Sequence, residues 1–442
     1  YGMAQSVPGI CSNLPVGGSS NHCLEVPCPE RLTKAVSMCS LRSLDTNSVC
    51  AKNVRRNEGK MRFLYVAPRY HTNQMDIMQD LKDHGDEVCF ISHYTAIIED
   101  YSCVKPVVLG YSPLYRLIDY LYVHVIHRKN PEAIVYKIQH GFPPIGKLKK
   151  VIRDFNPDVV ILREKSMYSI VAYLVCRRKG YPCILYNQTP LWSEPVKTDF
   201  AHRLVNKVSP KVRMTPVLGK KKPGTSVKPN DYFVPFVINP RKAPEERTYF
   251  KDGTIHILCI GKYEIRKHHI MMMETVKELA QKYPVHLTLI GEATTRFQKE
   301  YHGQVLEYRK ANGLEDLVTV KTNVERSRME EEYLKTDLFV IPSTREMASI
   351  SQLEAMSYSL PVICSDTNGT ACYVEDGVNG YQFKDCDKED LEQKMDDMLS
   401  DRERMKAMGA AGYRALEEKY NFKQYYESIL QMADKIKKEN LY

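Results

Sequence analysis

The stretch that decides the fold is Phe339–Gly369, which reads FVIPSTREMASISQLEAMSYSLPVICSDTNG. An apolar run at residues 338–341 has the length of a buried strand. A loop that contains Glu346 follows, and a helix-compatible stretch begins near Ser349. A second apolar run at residues 361–364 leads into a turn-rich segment. This order of strand, loop, helix and strand is typical of a parallel sheet, in which ligands bind at the carboxyl ends of the strands.

Two carboxylates are separated by seven residues across the junction of this loop and helix. Glu346 lies in the loop, and Glu354 lies in the first turns of the helix. Because helix N-termini accept phosphate at such an edge, we expect both side chains to line one pocket. The alternative is a solvated loop carboxylate together with a carboxylate that the helix dipole favours. The neighbouring residues decide between the two readings.

The segment resembles the donor-site signature of the retaining glycosyltransferases of family 4, which have the GT-B fold. In that family Pro-Ser is followed by Glu, seven residues, a second Glu, Ala-Met, a small residue and Leu-Pro-Val. The matching residues in this chain are Pro342-Ser343, Glu346, Glu354, Ala355-Met356 and Leu360-Pro361-Val362. The resemblance implies that Glu346 contacts the transferred sugar and that Glu354 holds the ribose of the nucleotide.

A second signature follows the apolar run at residues 255–260, where a helix pattern comes after a cationic turn. Gly261-Lys262 and Lys267-His268 stand where the family usually has Gly-Arg and Lys-Gly. Lys262, Arg266 and Lys267 suit a pyrophosphate, whose charge must be neutralised as the sugar leaves. Lysine in place of arginine keeps the charge but loses the bidentate fork.

The resemblance implies a nucleotide-sugar donor, expected to be UDP-linked, retention at the anomeric carbon and no essential metal or other cofactor. The predicted catalytic residues are Glu346, Lys267 and Lys262. The predicted donor-binding residues are Gly261, Arg266, Ser349, Ile350, Ser351, Glu354 and Asn323. Two departures are Met347-Ala348-Ser349 where the family often has Gly-Phe-Gly, and Cys372 where a Glu commonly follows the Gly-rich turn.

Three residues of the first half are candidates on the acceptor side, namely His71, Asn73 and Arg163. His71 and Asn73 occupy the first loop, where relatives place residues near the donor phosphate and sugar. The alternative for His71 is a polar residue at the start of a helix. Arg163 and Glu164 follow a predicted strand, and a surface ion pair is the alternative for them.

The chain has 442 residues, of which 43% are hydrophobic and 26% charged, as in ordinary globular proteins. No apolar stretch approaches about eighteen residues, and no secretory signal is visible. Eight of the 13 cysteines are scattered, several inside apolar patterns, and predict free thiols of a reducing compartment. We therefore expect a cytoplasmic protein that can associate with the inner face of the membrane.

The predicted fold class is α/β, with two Rossmann-like doubly wound domains of the GT-B type. Residues 1–60 are rich in Ser, Asn, Pro and Gly and predict a disordered or non-native extension. Residues 61–237 are expected to form the acceptor domain, and residues 238–420 the nucleotide-sugar donor domain. Residues 421–442 are expected to form a helix that crosses back to the first domain. The alternation of strands and helices lapses between residues 207 and 250.

Between residues 141 and 230 there are 18 Lys or Arg against 5 Asp or Glu, although the whole chain carries only +9. This excess predicts an anionic membrane surface and a glycan or lipid-linked acceptor as partners, and a solvated basic face is the alternative. No nucleic-acid motif accompanies the charge, so nucleic acid is not expected. The leading hypothesis is a hexose-transferring retaining enzyme of polysaccharide or cell-surface glycan biosynthesis. The alternatives are a sugar-nucleotide epimerase and a non-catalytic GT-B partner subunit.

Overall fold

The computed structural model describes most of the chain beyond the first 58 residues. The described ranges are 59–95, 100–121, 140–163, 166–194 and 200–442. The predicted N-terminal extension therefore lies almost wholly outside them, and so does Glu164. The domain boundaries at residues 60, 237 and 420 stay predictions.

The first sheet contains seven described strands, all parallel, in the order β3-β2-β1-β4-β5-β6-β7. Its strands are β1 Arg62–Ala67, β2 Glu87–Ser92, β3 Val107–Val108, β4 Val159–Arg163, β5 Cys183–Tyr186, β6 Val212–Thr215 and β7 Asp231–Phe233. Its helices are α1 Met75–Asp83, α2 Pro113–Leu121, α3 Ile145–Phe155, α4 Met167–Arg177 and α5 Phe200–Lys207. The central strands read as continuous apolar runs because helices cover both faces of such a sheet.

The second sheet has six described parallel strands in the order β10-β9-β8-β11-β12-β13. Its strands are β8 Ile255–Ile260, β9 Val285–Gly291, β10 Val318–Thr322, β11 Leu338–Ile341, β12 Val362–Ser365 and β13 Gly380–Phe383. Its helices are α6 His269–Leu279, α7 Arg296–Ala311, α8 Met329–Lys335, α9 Ile350–Ser357, α10 Lys388–Leu399 and α11 Arg402–Glu418. A 3₁₀ turn, Ile265–Lys267, precedes α6. Two Rossmann-like sheets in succession confirm the predicted fold class.

The last helix, α12 Phe422–Lys438, crosses back to the first sheet as predicted. Its apolar face, which includes Ile429 and Ile436, belongs to the buried core that holds Phe63 and Tyr65. The hydroxyls of Tyr65 and Tyr425 are 3.0 Å apart inside that core. The first core is therefore completed by the end of the chain.

The expected lapse between residues 207 and 250 is wrong in part, because β6 and β7 lie there. Each has only three or four residues, and neither shows the apolar run of a central strand. These strands are stabilised by backbone pairing with each other along the sheet. An ion pair of 2.6 Å between Arg213 Nη2 and Asp231 Oδ2 also joins them. Strands this short are defined by their neighbours rather than by their own sequence.

Each sheet with its helices forms one half of the protein, and residues 234–254 are the linker between the last strand of the first sheet and the first strand of the second. Polar contacts connect the two halves next to this linker. The Tyr373 hydroxyl donates to the Pro216 carbonyl at 2.8 Å and accepts the Phe236 N–H at 2.9 Å. Asp76 on α1 accepts the Asn239 N–H at 2.8 Å and pairs with the Arg241 guanidinium at 2.6 Å. These contacts hold the linker against both halves.

The eight described cysteines are free thiols, as predicted. Five are buried, Cys103 and Cys372 are partly buried, and Cys386 is exposed. Within the described ranges, no helix has the length and apolar content that crossing a membrane requires.

Candidate active site

The predicted donor residues meet at the carboxyl edge of the second sheet. The turn after β8 carries Arg266 and Lys267, and the loop after β11 carries Glu346. One oxygen of Glu346, Oε2, accepts from the Lys267 ammonium and from Arg266 Nη1, the latter at 2.6 Å. The Arg266 carbonyl also accepts the Thr344 N–H at 2.9 Å. Residues about eighty positions apart in the chain thus form one charged centre.

The charge state of Glu346 follows from these contacts. Burial alone raises the pKa of this carboxyl, but Lys267 and Arg266 outweigh burial and hold its pKa below the ordinary value. Lys267 is itself buried, with only 7% of its surface exposed. Glu346 is therefore ionised near neutral pH, and it pairs with two cations at the carboxyl edge of the second sheet.

Two glycines permit this close packing. A Cβ on Gly261 would lie 3.1 Å from Lys267 Cδ, so the missing side chain leaves room for the lysine stem. A Cβ on Gly369 would lie 1.8 Å from the Met347 carbonyl oxygen. The Gly369 N–H donates to the Glu346 carbonyl at 2.7 Å, so the backbones of the loops after β11 and β12 touch directly at this point. Only glycine allows that contact.

Lys262, the third predicted cation, lies apart from Glu346. Its ammonium pairs with Glu292, in the loop after β9, at 3.1 Å. Burial raises the pKa of Glu292, but hydrogen bonds from Thr294 and Lys262 lower it more. The Lys262 side chain is half exposed, and its charge acts on His71 of the first half. Lys262 therefore belongs to the cleft between the halves rather than to the centre around Glu346.

Glu354 lies on α9, nearly buried, between two partners that the sequence did not reveal. Arg326 forms an ion pair with Oε1, and the Tyr333 hydroxyl donates to Oε2 at 2.8 Å. Tyr333 is fully buried, so its hydroxyl fixes the direction of the carboxylate. The two oxygens of Glu354 thus keep only their remaining lone pairs for a ligand.

The start of α9 is the third part of the donor edge. Ser349 precedes the helix and makes no side-chain cap, since its hydroxyl pairs with that of Ser351 at 3.1 Å. The Ser349 N–H donates to Thr370 Oγ1 at 3.3 Å. Ile350 and Ser351 form the first turn, whose N–H groups have no acceptor within the helix. Such a helix start suits a phosphate.

Asn323, also predicted to bind the donor, follows β10 with a left-handed φ of 52°. Its N–H donates to the Gly291 carbonyl at 2.9 Å, and its Oδ1 accepts the Ala293 N–H at 3.0 Å. The residue is exposed, and these bonds join the loops after β9 and β10. The contacts give Asn323 a role in loop structure.

The acceptor-side candidates meet around the loop between β1 and α1. Asn73 and Arg163 line a small cavity of about 30 Å³, with Tyr186 and Phe236 on its walls. His71 Nε2 lies 3.2 Å from an Arg69 nitrogen. Burial, followed by the charges of Arg163, Arg69 and Lys262, lowers the pKa of His71 to about 3. The imidazole is therefore neutral near pH 7.

Polar atoms of this loop lie buried without a hydrogen-bond partner among the described residues. They are His71 Nδ1, Asn73 Oδ1 and Gln74 Oε1. Leaving a buried polar atom without a hydrogen bond costs about 1–3 kcal/mol, so three such atoms in one loop are unusual. Hydroxyl or amide groups of a ligand can both donate and accept hydrogen bonds, so they suit the two amide oxygens, which accept, and His71 Nδ1, which donates.

The basic residues counted between residues 141 and 230 do not form one surface. Lys220 pairs with Asp366 of the second half at 2.7 Å, and Lys221 lies over the Trp192 ring at 5.2 Å. Both belong to the cleft, beside a cavity of about 690 Å³ that Trp192, Asp366 and Gly369 line. Lys147, Lys149 and Lys150 are exposed on α3 instead.

The sequence of this site is similar to that of known enzymes. Residues 241–415 match the glycosyl transferases group 1 family. Within the curated proteins, sulfoquinovosyl transferase of Arabidopsis thaliana is 26% identical over 193 residues, which are 42% of this chain and 35% of that protein. D-inositol 3-phosphate glycosyltransferase of Xylanimonas cellulosilytica is 26% identical over 197 residues, which are 45% of this chain and 46% of that protein. The alignments thus cover less than half of either relative.

Solved structures extend the likeness of fold to both halves. A glycosyltransferase from Rickettsia africae superposes with a TM-score of 0.64 at 13% identity, over 86% of this chain and 99% of that one. The Anabaena protein HepE in complex with UDP gives a TM-score of 0.62 at 12% identity, over 85% and 99%. At this identity the likeness concerns the fold, which is GT-B.

Proposed function

We propose that this protein is a retaining glycosyltransferase that transfers a hexose from a UDP-linked sugar. The observation that carries the proposal is the centre at the edge of the second sheet, where Glu346 holds Lys267 and Arg266 beside the start of α9. The match of residues 241–415 to group 1 glycosyl transferases supports it. The complex of the similar Anabaena fold with UDP supports the choice of nucleotide.

The proposed reaction breaks the bond between the anomeric carbon and the phosphate oxygen of the donor. A new bond forms from the acceptor oxygen to the same face of that carbon, and the acceptor proton passes to the departing phosphate. Lys267 and Arg266 neutralise the charge that develops on the pyrophosphate, while the first N–H groups of α9 add hydrogen bonds. Glu346 keeps the two cations in place and faces the transferred sugar.

Glu354 and the first-half loop position the substrates. In this proposal Glu354, directed by Tyr333 and Arg326, accepts a hydrogen bond from a ribose hydroxyl. His71 is neutral and its Nε2 accepts from Arg69, so the proton is on Nδ1, which is buried without a partner among the described residues and donates to a sugar hydroxyl. Asn73 and Arg163 line the adjoining cavity on the acceptor side.

The proposed acceptor is a lipid-linked glycan at an anionic membrane surface. Helix α2 exposes Leu114, Leu117 and Ile118 to 69%, 58% and 53%. Ile118 and Ile145, at the start of α3, line one apolar groove. The exposed lysines of α3, namely Lys147, Lys149 and Lys150, supply the positive charge that an anionic leaflet attracts, at about 1 kcal/mol each.

Thermal stabilisation by a panel of nucleotide sugars tests the donor. The expected result is a rise in melting temperature with UDP-sugars, since a ligand stabilises a protein by mass action, and slow release of UDP from one of them. Glu346→Gln is expected to keep UDP binding and to abolish release. Stabilisation by no nucleotide sugar would contradict the enzymatic proposal and favour a non-catalytic partner subunit.

Sedimentation with neutral and anionic vesicles tests the membrane surface separately. Binding is expected only with anionic lipid, weakening as salt rises, and it should be lost in Leu117→Asp and in a variant with Lys147, Lys149 and Lys150 changed to Ala. Lys220→Ala, whose side chain lies in the cleft, is the control and should sediment like the parent. Equal binding to neutral and anionic vesicles would contradict the proposed membrane surface and indicate a soluble acceptor.

A further inference from the structure

A cluster of metal-ligating side chains lies beside the donor centre without being part of it. His268 follows Lys267 at the end of the 3₁₀ turn, and Asp385 and Cys386 follow β13 just before α10. Their ligand atoms, one from each residue, lie within 4.8 Å of one another. Cys386 Sγ is 3.7 Å from His268 Nε2 and 3.7 Å from Asp385 Oδ1.

The two separations from Cys386 fit the edges of a tetrahedral zinc site. Bonds of about 2.3 Å to sulfur and about 2.0–2.2 Å to nitrogen or oxygen place the sulfur roughly 3.5–3.7 Å from the other ligand atoms. Both distances from Cys386, at 3.7 Å, lie at the upper end of that range. Thr344 Oγ1 lies among the three, at 2.5 Å from His268 Nε2, 2.8 Å from Asp385 Oδ1 and 3.1 Å from Cys386 Sγ. An ion at the centre of the cluster requires this hydroxyl to rotate aside.

The donor set selects the metal. A thiolate, an imidazole and a carboxylate suit zinc, whereas magnesium and calcium prefer oxygen ligands alone. Helices α6 and α10 both begin next to the cluster, where the positive ends of their dipoles favour negatively charged groups. Zinc with these two anions and a neutral imidazole carries no net charge, so the dipoles do not oppose the complex.

The backbone of the cluster is strained at two of its three ligands. His268 has a φ of 52° and Cys386 a φ of 60°, a left-handed region that residues other than glycine rarely adopt. The resembled family has Gly at the position of His268, where the turn needs no side chain. The histidine at this position brings its Nε2 to 2.5 Å from Thr344 Oγ1 and to 3.7 Å from Cys386 Sγ. Cys386 is exposed, so an ion reaches the site from solvent.

We propose that His268, Asp385 and Cys386 bind one zinc ion, with water or the Thr344 hydroxyl as fourth ligand. The ion joins the turn that carries Lys267 to the loop after β13, and both segments contact Thr344, which is two residues before Glu346. Zinc thereby orders the donor centre without touching the reacting bond. The proposal is independent of the sugar and of the acceptor.

Binding of Co²⁺ and Zn²⁺ to the full chain tests the site. Co²⁺ is expected to give a thiolate-to-metal charge-transfer band that is lost in Cys386→Ser, and Zn²⁺ to raise the melting temperature of the parent. His268→Gly is the sharper variant, because it relieves the left-handed strain and removes one ligand. Its metal-free stability should equal or exceed that of the parent, while zinc affinity falls more than about 100-fold, since even outer-shell changes cost 10–100-fold.

Two variants serve as matched controls. His256→Asn removes another histidine of the second half that pairs with an aspartate, Asp252, at 3.0 Å. Cys103→Ser removes another cysteine that is not buried. Cysteines of residues 1–58 are present in every protein compared, so differences report on the cluster. Equal zinc affinity and equal stabilisation in the parent, Cys386→Ser and His268→Gly would reduce the cluster to a set of hydrogen bonds around Thr344.

Discussion

Both acidic residues of the proposed donor site have their partners built into the protein. Glu346 lies between Lys267 and Arg266, and Glu354 lies between Arg326 and Tyr333. A carboxylate held in this way keeps its orientation and retains lone pairs for a substrate hydroxyl. Each side chain is already ordered in the folded protein, so less conformational entropy is lost when a donor binds.

Glu354→Gln is expected to weaken donor binding. A hydrogen bond to a charged group contributes roughly 1.5–3 kcal/mol, which corresponds to about a 10- to 150-fold loss in affinity for UDP. Calorimetry with UDP measures it. Glu331→Gln on α8, whose carboxylate is exposed and pairs only loosely with Lys335, is the control. Equal affinities in parent and Glu354→Gln would remove this residue from the site.

Lys267→Ala is expected to lower turnover by about 100-fold or more, with less effect on KM, because its charge matters most as the pyrophosphate leaves. Without Lys267, burial acts on Glu346 with less opposition, so the pKa of Glu346 rises and the acid limb of the pH–rate profile moves to higher pH. Lys277→Ala, on the exposed face of α6, is the control. Unchanged turnover in Lys267→Ala would contradict the proposed role of Lys267 in stabilising the leaving pyrophosphate.

The sequence predicted the acidic and basic residues of the proposed donor site because their types recur at fixed spacing. It did not reveal Arg326 and Tyr333, which reach Glu354 from another loop and helix. Nor did it reveal the pairing of His268 with Cys386, which are 118 positions apart. One signal was present, the histidine where the family has glycine. Contacts that topology creates between distant segments leave no local pattern.

At the scale of elements, the contact of the loops after β11 and β12 depends on one glycine. In Gly369→Ala the new Cβ meets the Met347 carbonyl oxygen at 1.8 Å, so the loops must separate. We expect UDP affinity to fall at least tenfold and the melting temperature to fall by several degrees, as a clash with backbone is costly. Thermal unfolding with and without UDP measures both effects.

The control for this change lies in α7. A Cβ on Gly303 meets nothing within 4 Å, so Gly303→Ala should stabilise the protein by about 1 kcal/mol through helix propensity. If Gly369→Ala were as stable as the parent and bound UDP equally, the loops would not need their close approach.

Strands that are continuous apolar runs were easier to predict than the others. The apolar runs at residues 255–260 and 338–341 begin and end where β8 and β11 do. The strands β3, β6, β7 and β13 were not predicted, because none of them is an apolar run of four or more residues. Helix α2 was also missed, since most of its apolar residues are exposed rather than directed to a core.

For the whole molecule, buried histidines predict sensitivity to acid. Burial lowers the pKa of both His93 and His269 to about 3. The unfolded chain protonates each near pH 6.5, so stability is complete above that pH. Below it, stability falls by about 1.4 kcal/mol per pH unit for each histidine until about pH 3.

Urea unfolding at pH 6.5 and pH 5 measures this loss. His93→Phe, which keeps a ring against Tyr168, should lose about 2 kcal/mol less between the two pH values than the parent does. The control is His256→Asn, a change at a more exposed histidine, and this variant should lose as much free energy of unfolding as the parent does. An equal loss in His93→Phe would mean that His93 is protonated inside the folded protein.

The return of α12 to the first core has a consequence for biosynthesis. Ile429 and Ile436 fill that core, yet the ribosome makes them only after the whole second half. At about 5–20 residues per second, residues 238–421 take roughly 10–40 s to synthesise. During that interval the nascent first half presents an open apolar face, on which chaperones have time to bind.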